Sequence, residues 1–366
     1  MTVKQYSNSN NNKNKHKVII MMPSKLLGGV KTIVAKLIRG LELEGFHIKP
    51  VVYSFRTELI RSLKLSRQLH ESSAVIYTSS IPALGHLIHS KYTKTILFVH
   101  GYTKYQLLES LKREKLTSKL GATYLIGLWK ICETSKKLHK FMCHSRTSCE
   151  MNDIRENYIL LPQFILPGEE EYYERLLKKL RRDNHEARDA VRMLAYASFV
   201  RSPRLLSAQH IESLMKMVSR RINKRVELIV IDPLVKIESV KLVGSITIRY
   251  VKPLPHMNFL RLVANSDLFI ELNIDEELRE STIEAALLET PVAKLTHPLF
   301  KDRCDYREDD LIQAYSFKEL ADRIAEYVQN VELYYNIYSK ALRDFILKFR
   351  TWNHVKRQLV EYLKEV

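Results

Sequence analysis

Two carboxylates, Glu276 and Glu284, stand eight positions apart in the stretch Asp267–Ala293, which reads DLFIELNIDEELRESTIEAALLETPVA. A carboxylate close to a helix N-terminus accepts hydrogen bonds from a vicinal diol, and the free N–H groups of that helix end receive phosphate oxygens. Together they suit a sugar nucleotide. Arg201 and Arg204 follow the apolar run Val191–Val200, and either can pair bidentately with phosphate oxygens. Gly28 and Gly29 follow another apolar run, as a turn that lets backbone approach a phosphate would. His100 ends the segment Phe98-Val99-His100-Gly101, where an imidazole can hydrogen-bond a sugar hydroxyl or a developing charge.

These residues need elements that bring them to one edge. Leu268–Ile270 is a short β-type run, and Ile283, Ala286 and Leu287 follow it at helical spacing, so the stretch predicts strand, loop, helix. Glu276 then lies in the loop and Glu284 in the helix, with backbone amides of Glu280, Ser281 and Thr282 as further donors. Upstream, Lys17–Met22 is a buried-type strand, followed by a helix from about 30 to 44 that stops at the C-cap glycine Gly45. Alternation continues with strands near 48–55, 73–78 and 94–99 and helices near 57–70 and 80–90, which predicts a parallel sheet with right-handed crossovers. A helical stretch from 105 to 135 precedes a strand at 139–144, with Ser145 as an N-cap. A charged helix from 169 opens the second half, which restarts with strands at 191–200, 226–232 and 245–251. Helices near 317–329, 331–348 and 352–364 close the chain.

The wording of these segments resembles the family-4 retaining glycosyltransferases. Glu276, Glu284, Ala285, Thr290, Pro291 and Val292 fall in register with that family's E-G-F-G-x-x-x-x-E-A-x-x-x-G-x-P-V pattern, while Glu277, Arg279 and Glu289 replace its glycines. The opening GGVKTIVAKLIRGLELEGFHI, the strand-end His100, the Ser145-Arg146-Thr147 start and the Phe349-Arg350-Thr351-Trp352 junction are similar to further parts of the pattern. The resemblance implies an α/β protein of GT-B fold: two Rossmann-like parallel-sheet domains facing across a cleft, with a C-terminal helix crossing back to the first. Residues 1–16, rich in Asn, Ser and Lys, predict a flexible tail, and the resemblance implies an acceptor domain at 17–165, a nucleotide-sugar domain at 166–348, and a returning helix at 349–366. It also implies metal-independent, retaining transfer of a hexosyl group from a UDP- or GDP-linked donor, with no other cofactor. In that assignment Glu284 holds the ribose, Arg201 and Arg204 the diphosphate, and Glu276 the transferred sugar with His100 opposite.

Net charge is uneven. Residues 1–150 carry 25 Lys and Arg against 8 Asp and Glu, and the remainder is nearly balanced. Such a field favours an anionic acceptor or a membrane surface as partner. Nucleic acid is the competing polyanion, but no helix-turn-helix, zinc-finger or RNP wording supports it. The transferase has two further rivals on the same fold, a catalytically degenerate binding protein and a sugar-nucleotide epimerase. No apolar run reaches the roughly 18 residues of a membrane span, and the four cysteines show no framework spacing, which predicts a cytoplasmic, reducing setting, peripheral at most to the inner membrane surface. Adjacent strand residues face opposite ways, so Cys143 and His144 do not predict a zinc site.

Overall fold

The computed structural model describes residues 16–24, 28–54, 64, 74–78, 89, 93–100, 111, 123, 126–127, 130, 139–181, 189–197, 208–232, 235–271 and 274–365. The chain forms two compact units: residues 1–161 with 356–366, and residues 162–355.

The first unit is built on a six-stranded sheet of order β2-β1-β3-β4-β5-β6, with every neighbour pair parallel. Its strands are β1 (Lys17–Pro23), β2 (His47–Tyr53), β3 (Ala74–Tyr77), β4 (Lys94–Val99), β5 (His139–Cys143) and β6 (Tyr158–Leu160). Val18 to Met21 and Ile96 to Val99 are fully buried, as expected of parallel strands covered on both faces. Gly28 and Gly29 lie within the first turn of the helix Gly28–Leu43, two residues earlier than the expected start, so they form a helix N-terminus instead of a preceding turn. That helix ends as the sequence requires. Gly45 takes φ 86°, its amide bonds to the Glu42 carbonyl, and the Phe46 amide reaches back to Leu41, the paired closure that favours glycine.

The second unit carries a seven-stranded sheet of order β13-β12-β11-β7-β8-β10-β9. These are β7 (Ala190–Tyr196), β8 (Arg225–Ile231), β9 (Ser239–Val243), β10 (Ile246–Val251), β11 (Leu268–Glu271), β12 (Val292–Leu295) and β13 (Ile312–Ala314). All pairs are parallel except the edge hairpin β9–β10, which turns at Gly244 with φ 59°. Successive residues of β7 alternate between two cores. Met193 and Ala195 join the layer under helices Ala208–Ser219 and Phe317–Gln329, and Leu194 joins the layer under Glu169–Leu180, His256–Ala264, Glu280–Leu287 and Val331–Phe349.

The division between units falls at 161/162 and 355/356, not at the expected 165/166 and 348/349. Ile165 bridges Thr351, and Phe164 packs on Trp352 at 5.1 Å between centroids, which keeps both junction segments in the second unit. The final helix, Arg357–Lys364, belongs to the first. Its Leu359 and Leu363 are fully buried, Tyr362 lies under the ammonium groups of Lys94 and Lys140, and Gln358 accepts the Leu160 amide at 3.3 Å.

Candidate functional site

In an open parallel sheet, ligands bind beyond the carboxyl ends of the strands where the strand order reverses. In the second unit that point lies between β7 and β11. The segment after β11 is the one that carries the predicted carboxylates. Arg201 and Arg204, in the segment after β7, lie outside the described residues.

Along β11, Phe269 faces the layer that holds helix Glu280–Leu287, so Glu271 two positions later faces it as well. Its carboxylate accepts the Thr282 hydroxyl and lies 3.9 Å from Arg279 Nε. Its register partner on β12 is Lys294, which is fully buried. Burial lowers the Lys294 pKa, against the opposing pull of the Glu271 and Asp275 carboxylates. The loop from 274 to 279 holds Asp275 and Glu276, both buried, and the Asp275 carboxylate caps the Glu277 amide at 3.1 Å. Burial and then the Asp275 charge push the Glu277 carboxyl up to about 8.

Helix Glu280–Leu287 follows with Arg279 at its N-cap. Of the three amides predicted to meet phosphate, that of Thr282 bonds to the Arg279 carbonyl at 3.0 Å, and its side chain is fully buried. Thr282 thus helps to hold the turn together. Glu280 and Ser281 remain in the first helical turn, where N–H groups have no intrahelical acceptor. Glu284 is 5% exposed, and one of its oxygens accepts from both Tyr173 Oη, at 3.2 Å, and His256 Nε2, at 2.6 Å. Burial and then the Glu284 charge raise the Tyr173 pKa, so the phenol stays protonated as a donor.

Glu289, at a position where the resembling pattern has glycine, has φ 53°. Its amide bonds to Ala286 and that of Thr290 to Ala285, the same closure that Gly45 makes in the first unit. Tyr335 Oη donates to the Glu289 carbonyl at 2.7 Å and Arg181 lies 3.7 Å from its carboxylate.

In the first unit His100 follows β4 and His144 follows β5. His100 Nδ1 lies 3.1 Å from His144 Nε2, and His144 Nδ1 lies 3.1 Å from the Leu161 carbonyl. Both rings pack on Phe98, at 4.2 and 4.8 Å. Burial lowers both pKa values, that of His144 to about 4, and His144 adds to the lowering at His100. Both are neutral at pH 7. A carbonyl only accepts, so His144 Nδ1 carries the proton, its Nε2 is the acceptor, and His100 Nδ1 donates to it. His100 is thus a neutral imidazole hydrogen-bonded to His144.

The cysteine reading is also corrected. Cys143 and Cys149 are joined, with Sγ–Sγ 2.08 Å and Cα–Cα 5.8 Å. Ser145 caps helix Arg146–Met151 by accepting the Ser148 amide, and this strand-to-helix turn folds Cys149 back on the end of β5. The expectation of a reducing setting rests on the absence of framework spacing, and the Cys143–Cys149 bond weighs against it. Among the described residues, no helix is long and apolar enough to cross a membrane.

Tyr173, Glu271 and Lys294 escaped sequence reasoning. Charged residues at the ends of the apolar runs LFIE and VAKL were the available signal for the last two.

No family model matches the sequence, and neither does any curated protein. Solved structures do. HepE from Anabaena in complex with UDP-glucose aligns at 14% identity over 96% of this chain and 100% of that one, with TM-score 0.62. Sucrose-phosphate synthase from Thermosynechococcus elongatus aligns at 11% identity, covering 96% and 99%, with TM-score 0.64. WaaG, a glycosyltransferase involved in lipopolysaccharide biosynthesis, gives 11%, 95% and 99%, with TM-score 0.56. The fold is GT-B. The β7–β11 reversal and the helix after β11 form the carboxyl edge just described, and Glu284 is the buried carboxylate on that helix.

Proposed function

We propose that this protein is a glycosyltransferase that moves a hexosyl group from a nucleoside diphosphate sugar to an acceptor hydroxyl, with retention and without a metal ion. The observation that supports it most is Glu284: a buried carboxylate on a short helix that starts at the β7–β11 reversal of a GT-B unit. In this reading Glu284 accepts from the ribose, and the amides of Glu280 and Ser281 with Arg201 and Arg204 receive the diphosphate. The leaving diphosphate gains charge as the sugar–oxygen bond breaks, and fixed donors stabilise that charge without reorganisation. Glu276 contacts the transferred sugar. The family-4 pattern and the UDP and UDP-glucose bound to HepE make a UDP-linked donor the first to test. The basic first half favours an anionic acceptor.

One observation favours a second reading, a GT-B binding protein without turnover. Glu277 and Arg279 fill the loop in which the resembling family has glycines, and that loop carries three successive acidic residues, Asp275, Glu276 and Glu277. Thermal unfolding against UDP-, GDP- and ADP-sugars tests the site, since a ligand of the folded state raises Tm by mass action. A rise with one donor that Glu284→Ala abolishes, followed by release of nucleoside diphosphate in the presence of acceptor, is the expected result. Binding without release establishes the second reading. No shift with any donor removes both.

A further inference from the structure

Glu284 does not sit at the site as a free carboxylate. Tyr173, on helix Glu169–Leu180, and His256, the first residue of helix His256–Ala264, both donate to its Oε1. Among the described residues, none is placed on Oε2. The two donors differ in setting: Tyr173 is buried, and His256 is 62% exposed. The His256 ring lies nearly parallel to Phe259, at 19° and 6.5 Å, and Phe259 meets Phe269 of β11 and Tyr196 of β7 edge-on. The clamp is therefore tied to both strands of the reversal.

A carboxylate oxygen has two lone pairs. With Tyr173 and His256 on Oε1, that oxygen is saturated and the carboxylate plane is fixed, so Oε2 alone is left to accept from a ligand. We propose that Tyr173 and His256 are positioning residues that divide the Glu284 carboxylate, reserving Oε2 to read a ribose hydroxyl and so setting the preference for ribonucleotides over deoxyribonucleotides. The inference rests on the donor-site reading above and deepens it. Without the clamp, Glu284 can rotate, bond its own surroundings, and meet ribose and deoxyribose with less difference. A group fixed by its neighbours discriminates better than one left to adapt.

The test is calorimetric binding of UDP, 2′-deoxy-UDP and 3′-deoxy-UDP to the full chain, with GDP and ADP and their deoxy forms as further probes. For the nucleotide that binds, the wild type should prefer the ribo form over one of its two deoxy forms by about tenfold or more, the scale of a charge-assisted hydrogen bond. Tyr173→Phe and His256→Ala should each reduce that ratio by about threefold to tenfold, chiefly by weakening the ribo form. His256→Gln, which keeps an N–H donor, should retain more of the ratio than His256→Ala. A loss of packing alone would weaken ribo and deoxy forms together. A cooperative unfolding transition in each variant establishes that it folds.

An unchanged ratio in both Tyr173→Phe and His256→Ala overturns the clamp while leaving the donor site standing. A wild type that binds without discriminating overturns the clamp and the ribose role of Glu284, while nucleotide binding itself stands. Failure of the wild type to bind any of the three nucleotides overturns the donor-site reading, and the clamp with it.

Discussion

At the carboxyl edge of the first sheet, His144 is buried and His100 half-buried, both as neutral rings, each a donor through Nδ1, with Phe98 beneath them. At the carboxyl edge of the second, Lys294 is buried beside the carboxylates of Glu271 and Asp275, with Arg279 nearby. Both edges bury polar groups, but the first removes the charge and the second opposes it. A neutral pair needs only its hydrogen bonds and is vulnerable to protons. In a charged cluster each member depends on the others, because a buried charge left without its partner is costly.

Removing one member of the cluster should therefore have the largest effect. Glu271→Ala should destabilise the second unit by about 3–5 kcal/mol in denaturant unfolding, since it strips Lys294 of a carboxylate and Thr282 of its acceptor. Adding Lys294→Met should recover part of that loss. Failure to recover would mean that the cluster is not organised by opposing charge.

The neutral pair makes the opposite demand. The His144 pKa is lowered from its unfolded value near 6.5 to about 4, so the unfolded chain binds more protons between those limits. The stabilisation is complete above pH 6.5 and is lost as pH falls toward 4, by on the order of 2–3 kcal/mol. In His144→Phe the slope of stability over this range should flatten.

Glu277 sharpens the contrast from within the charged edge. Its pKa is raised to about 8, so the unfolded chain releases its proton first and stability declines as pH rises from about 4.5 to 8. Glu277→Gln should stabilise the protein by about 1 kcal/mol at pH 8.5 and by little at pH 5. Equal effects at both pH values would mean that the carboxyl is charged throughout.

The smallest effect concerns Glu289. Its φ of 53° is a conformation that glycine adopts without steric cost, and Gly45 supplies that glycine at the equivalent closure in the first unit. Glu289→Gly should stabilise by up to about 1 kcal/mol, less what the half-exposed contact with Arg181 contributes. The measurement is a Tm comparison at two salt concentrations.

Apolar runs and glycine or serine caps carried most of the architecture in the sequence. Ile-rich strands, the Gly45 closure and the Ser145 cap are local, and each is dictated by neighbouring residues. Edge strand β9 was hidden because its residues Ser239 to Leu242 are all exposed and show no buried alternation. Strands β12 and β13, of four and three residues, are too short to establish a period. At the site, Glu276 and Glu284 were legible because strand, loop and helix follow one another within one short stretch. The clamp was not, because Tyr173 lies 111 positions from Glu284 and only the packing of three helices joins them. The Cys143–Cys149 bond was hidden for a related reason: a spacing of six says nothing until the turn between strand and helix is known.

The position of residues 356–366 bears on how the molecule is made. They complete the first unit, whereas 162–355 form the second without interruption. A ribosome therefore delivers every residue of the second unit before it delivers Leu359 and Leu363, which are fully buried in the first. The unit whose synthesis starts earlier is the one finished later, and a chain halted just short of residue 356 would leave it without part of its core.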